Sequence, residues 1–156
     1  MLETNDNATK SSVVQINSDI TNDNQIVVFQ LANQKYALPL QQTQEIIKMS
    51  KITQIPNSNF YLEGVINLRG TILPVINLRK RLGFADQKVS KNTRIVVAEA
   101  SIQNIGIMVD KVLQVGHYSQ SEIEPPDAVN GNSNFLKGVI KKKDSLWLLL
   151  DIDKVL

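Results

Sequence analysis

Cysteine is absent from the 156-residue sequence, which excludes a disulfide framework and any thiolate metal site. Histidine occurs once, at His117, on a stretch that reads as the end of a strand. Aromatic residues make up only 5% of the chain, few for the ring-stacking platforms on which single-stranded nucleic acid is held. Neither sign of charge dominates: the net value is +2, so composition carries no strong pull toward nucleic acid or anionic membrane. No apolar run approaches the roughly 18 residues a membrane span needs. The N-terminus lacks a basic region followed by an apolar stretch, so it does not read as a signal peptide. Together these absences lead us to expect a cytoplasmic protein. No glycine-rich phosphate loop and no G-x-S-x-G turn appears. Asp151 and Asp153 stand two apart, but two carboxylates alone are a weak metal site and fit a helix N-cap better. The chemistry of an enzyme, a metal centre or a cofactor site is therefore not written here.

What is present is β-forming sequence. With 42% hydrophobic residues the chain can build one domain of ordinary size, or two small units sharing a core. Residues 1–24 are rich in Asn, Asp, Ser and Thr and are expected to form a disordered tail, with only "VVQI" (Val13–Ile16) apolar. From Gln25 onward, "QIVVFQL" and "KYALPL" read as a hairpin about Ala32–Gln34. "QQTQEIIKM" (Gln41–Met49) suggests a short helical turn. "GVINLRGTILPVINLRKRLG" (Gly64–Gly83) reads as two strands about a tight Arg-Gly turn. A helical turn closed by Gly83 follows. Pro74 favours an edge or bulge position. The aromatics Phe29, Tyr36, Phe60, Tyr61 and Trp147 are expected in the core.

The second half repeats the first. "GVIKKKDSLWLLLDIDKVL" (Gly138–Leu156) lies under Gly64–Leu82 without a gap, and Arg94–Val115 lies under Gln25–Ile46. Each half has the same order: strand, hairpin, strand, connection, Gly-Val-Ile strand, turn, strand, short helix. A duplicated unit of this kind suggests two small barrels, at roughly 25–83 and 93–156. Each would be marginal alone, so a shared core is expected. The Ile, Leu and Val residues that recur in both copies belong to the barrels. Asn67, Leu68, Arg69 and Gly70 do not recur; "KKKD" replaces them. The turn "NLRG" is thus the part of the first copy free to serve a partner. Nucleic-acid binding by a small barrel is the alternative, resting on the basic runs Arg79–Arg81 and Lys141–Lys143.

The Gly64–Gly83 segment, with "VVFQLANQKYALPLQQTQEII", "NIGIMVDKVLQV" and "FLKGVIKKKDSLWLLLDIDKVL", closely resembles the CheW family of chemosensory coupling proteins. The resemblance spans Gln25 to Leu156. It implies a mainly all-β fold of two packed, five-stranded SH3-like barrels with short helices, and a non-catalytic adaptor without cofactor. Its implied partners are the cytoplasmic tip of methyl-accepting chemoreceptors and the regulatory domain of a CheA-type histidine kinase, itself of the same fold. Rings with other CheW-like proteins are implied too. On the receptor side the resemblance implies Glu45, Ile46, Asn67, Arg69 and Gly70; on the kinase side, Leu40 and Thr43. Thr43 departs from the apolar residue many relatives carry there. Val109 and Val112 fit either a receptor groove or the core. The resemblance does not choose between flagellar and pilus output, and a CheV-type protein would add a receiver domain.

Overall fold

The computed structural model describes residues 24–128 and 132–156. The tail expected at the N-terminus, with Val13–Ile16, lies outside them except for Asn24. The first repeat forms β1 (Gln25–Leu31), β2 (Gln34–Pro39), β3 (Thr43–Lys48), β4 (Leu62–Leu68), β5 (Thr71–Asn77) and the single-turn helix α1 (Leu78–Arg81). The second forms β6 (Arg94–Glu99), β7 (Asn104–Val109), β8 (Lys111–His117), β10 (Leu136–Lys142), β11 (Ser145–Leu150) and α2 (Ile152–Val155), with a short extra strand, β9 (Ile123–Glu124). The duplication read from the sequence is therefore a duplication of structure. Most of Gln41–Met49, expected as helix, is strand. Only Leu40–Gln42 makes a 3-10 turn, because Thr43–Lys48 alternates in burial and pairs with β6.

The expected division into one barrel per half is not the one adopted. Among the described residues one sheet has the order β8-β1-β2-β11-β10-β9 and the other β3-β6-β7-β5-β4. Apart from the extra strand β9, each sheet takes the first two strands of one repeat and the last three of the other. The connection after β2 shows how. Pro39, with φ −56° and ψ 134°, leads into a single 3-10 turn. That turn sends the chain onward instead of folding β3 back beside β2 as a hairpin would. Two parallel pairings, β2 with β11 and β5 with β7, join strands of different repeats.

The exchange creates three layers of core. Ile26, Val28, Ile140, Trp147 and Leu149 fill the first barrel. Ile66, Leu73, Val75, Ile95 and Val97 fill the second. Phe29, Tyr36, Leu38, Ile76, Val96, Ile107 and Leu148 form a larger cluster between them, together with residues of both helices. Side chains alternate across a strand, so β1 sends Val28 into its barrel and Phe29 into the shared layer. β6 does the same with Ile95 and Val96. Burial on both faces is why these strands read as unbroken apolar runs rather than as alternating ones.

The repeated Gly-Val-Ile has a steric cause. Gly64 holds φ +146°, and a Cβ there would stand 2.2 Å from the Thr53 carbonyl oxygen, because Thr53 bridges Val65 across this edge. At Gly138 the neighbour is β9, whose Glu124 carbonyl oxygen would lie 3.0 Å from a Cβ. Pro74 fits its place for a related reason. Thr53 takes both backbone hydrogen bonds of Val65, so Val65 and the Pro74 opposite it exchange none. Pairing of β5 with β7 starts only at Val75. The missing N–H is asked for by neither neighbour.

α1 ends as expected at a glycine: Gly83 takes φ +88°, its N–H meets the Lys80 carbonyl and the Phe84 N–H the Arg79 carbonyl at 2.8 Å, the paired bonds of a Schellman ending. Asn77 and Asp151 cap the equivalent helices from equivalent positions. Phe60 is the aromatic that departs from expectation. It is 72% exposed, on the connection before β4.

Candidate functional site

β4 and β5 pair in register up to Leu68 opposite Thr71, which leaves Arg69 and Gly70 as a two-residue loop. Both have positive φ, 50° and 88°, the pattern of a type I′ hairpin turn. Asparagine or glycine is the usual first residue of such a turn; here it is arginine. Asn67 braces the loop, its Oδ1 accepting from the Gly70 N–H at 2.8 Å. The corresponding turn of the second repeat, Lys143–Asp144, has no positive φ. The left-handed turn is therefore a property of "NLRG" and not a demand of the barrel.

The turn directs the Arg69 side chain to β3, where its guanidinium donates to the Glu45 carboxylate. That hydrogen bond, and behind it the carboxylate's charge, holds the Arg69 pKa above its ordinary value. The position of Glu45 comes from a bulge. The register of β3 against β6 shifts between Thr43 and Glu45, leaving Gln44 as the extra residue that re-aims its neighbours. The Gln44 Oε1 accepts from the Asn104 amide at 3.2 Å.

Between these two polar contacts runs a groove of about 480 Å³, lined in part by Leu68, Ile72, Leu73 and Val97. The groove thus combines apolar side chains with a rim of charge and amide. Arg69 keeps 69% of its side chain exposed, so the pair with Glu45 does not withdraw it from solvent.

The structure thus brings together four of the residues singled out in sequence: Glu45, Asn67, Arg69 and Gly70. Ile46 is placed elsewhere. Adjacent on β3, it points to the opposite face, half exposed and outside the groove. Leu40 and Thr43 sit at the start of β3 and hold each other: the Thr43 N–H closes the 3-10 turn on the Leu40 carbonyl. The Thr43 hydroxyl donates to the Pro39 carbonyl at 3.2 Å, which gives the polar residue there a local partner. Val109 is core, 1% exposed, and Val112 packs partly buried against the same cluster.

Sequence reading missed Ile72, an apolar strand residue assigned to the barrel that is 62% exposed on the groove. Its equivalent Leu146 is exposed too, as are the matched pair Ile46 and Val115, so both barrels carry apolar residues on corresponding outer positions.

The basic runs are engaged within the chain. Arg79 donates to Asp110 at 2.7 Å, Lys80 meets Glu63, Lys141 meets Glu124 and Lys142 meets Glu122. Arg81 donates to the Val155 carbonyl at 2.6 Å and lies over the rings of Tyr61 and Phe135. These contacts give Arg79, Lys80, Arg81, Lys141 and Lys142 structural roles within the chain.

The family model described as CheW-like domain matches residues 25–156. The chain belongs to the CheW family. Chemotaxis protein CheW of Thermotoga maritima is 33% identical over 141 residues, which covers 89% of this chain and 91% of that one. The CheW of Helicobacter pylori is 32% identical over 133 residues, covering 85% and 81%. In structure, the scaffolding protein TtCheW of Thermoanaerobacter tengcongensis superposes with a TM-score of 0.80 at 36% identity, covering 85% of this chain and 92% of that one. The architecture is accordingly that of two SH3-like barrels, and the role is that of a coupling scaffold in chemotaxis signalling.

Proposed function

We propose that this chain couples the cytoplasmic tip of methyl-accepting chemoreceptors to the regulatory domain of a CheA-type histidine kinase, in the cytoplasm, by binding alone. Glu45, Asn67, Arg69 and Gly70 meet the receptor, with Ile46 reaching it from the outer face of β3. Leu40 and Thr43, at the start of that strand, meet the kinase barrel, and other CheW-like proteins take the same kind of contact in rings. One observation carries this reading. An arginine occupies a left-handed turn position that the duplicated barrel fills without strain, and it remains mostly exposed while paired to Glu45. A residue held at such a cost at a protein surface marks a contact. The test is binding of the purified chain to the regulatory domain of its cognate kinase, read by calorimetry. Saturable binding at tens of micromolar or tighter is the expected result, and its absence removes the proposal.

A further inference from the structure

Neither barrel is made by one repeat. The pairings β1 with β8, β2 with β11, β3 with β6 and β5 with β7 all join the first repeat to the second. The polar contacts at the seam do the same: Arg79 with Asp110, the Ala32 N–H with Asp110, and Arg81 with Val155. A repeat therefore presents a complete complementary surface to the other, wherever that other comes from.

The only covalent link between the repeats is the segment from Gly83 to Asn92. Phe84 is half-buried and the rest is exposed. Its hold on the body is concentrated at its ends, where Ala85 accepts from Arg79, Asp86 accepts from Asn77 and the Ser90 N–H meets the Thr93 hydroxyl. Between them, Gln87 to Ser90 arch over a small cavity against Met108 and Asp110. The segment adds no strand to either sheet. Opening it sacrifices few contacts, while every strand pairing can be remade with another molecule.

We propose that the occupant of this seam can be a second copy of the same chain. In the resulting dimer the first repeat of each molecule closes both barrels with the second repeat of its partner, the exchange low-cost hinges permit. Such a dimer contains two complete two-barrel bodies. Each groove becomes composite, since Glu45, Arg69 and Ile72 come from one chain and Val97, Gln103 and Asn104 from the other. The scaffold is then bivalent without any new surface.

The Arg79–Asp110 pair supplies a test in the full-length chain. R79D and D110R each place like charges across the seam within one molecule. Exchanged between the two variants, the repeats restore an opposite-charge pair in one body and the native pair in the other. The variants, one of them labelled with 15N, are unfolded and refolded together at high concentration. Native mass spectrometry should show a heterodimer, more abundant than the homodimer of either variant refolded alone. The single protein with Gln87–Lys91 deleted should become dimeric, because a shortened hinge favours closure on a neighbour. If the mixed refolding gives folded monomers and no heterodimer, the proposal is wrong, and a folded monomeric deletion variant would overturn it equally. Should the deletion variant fail to fold, the mixed refolding decides.

Discussion

Arg69 carries two opposed demands. Its backbone pays for a left-handed conformation, about 1 kcal/mol for a residue with a Cβ, and its side chain reaches Glu45 in an exposed pair of modest worth. Asparagine tolerates that conformation better. R69N is therefore expected to melt at the same temperature as the native chain or slightly higher, while losing receptor-dependent control of the kinase in a reconstituted assay. A fall in melting temperature of several degrees would instead assign Arg69 to bracing the hairpin. Gly64 makes the contrasting case. With φ +146° and the Thr53 carbonyl 2.2 Å from any added Cβ, G64A should cost about 3 kcal/mol or more. G138A, at 3.0 Å and without a positive φ, should cost about 1 kcal/mol. Urea denaturation of the two variants measures the difference; equal costs would refute the steric origin of the repeated glycine.

At the scale of elements, the order of strands was legible because duplication repeats the apolar pattern and its punctuating glycines. Their partners were not. β2 and β7 are apolar on both faces, so nothing in either says whether its neighbour is the next strand or one from the other repeat. The site divides the same way. Asn67, Arg69 and Gly70 announce a tight turn, but the meeting of Arg69 with Glu45 depends on the β3 bulge, which no local signal marks. Ile72 was hidden because an exposed isoleucine in a strand reads like a buried one. One connecting element also carries a pH signature. The Glu122 carboxylate closes a capping box on the Ser119 N–H at 2.9 Å and accepts from Lys142. The backbone bond, and after it the lysine, hold its pKa below the ordinary glutamate value. A depressed folded pKa means that this contribution is complete above the unfolded pKa and is lost as pH falls through the folded one. Thermal stability should therefore decline in acid with a shallower slope in E122Q, measured by melting between neutral and acidic pH. An unchanged slope would show that the box does not contribute.

For the whole molecule, exchange of strands makes the two barrels one folding unit. Trp147, the single tryptophan, sits in the core of the first barrel and reports on it alone, while far-UV circular dichroism reports on both. The two signals should follow one denaturation curve. Separate midpoints would mean that a barrel survives without its counterpart. Pseudo-symmetry also has a centre, and Arg81 stands near it. Its match in the second repeat is Val155, the residue whose carbonyl it binds, and the two rings it touches, Tyr61 and Phe135, each lie three residues before a matched glycine. Two identical repeats would project two arginines into this one place, where like charges repel at close range. A single polypeptide escapes that constraint, since each copy is free to carry a different residue. The same freedom lets one hairpin keep a strained arginine while its twin keeps an ordinary turn. Covalent fusion thus turns a symmetric frame into a scaffold with two dissimilar ends.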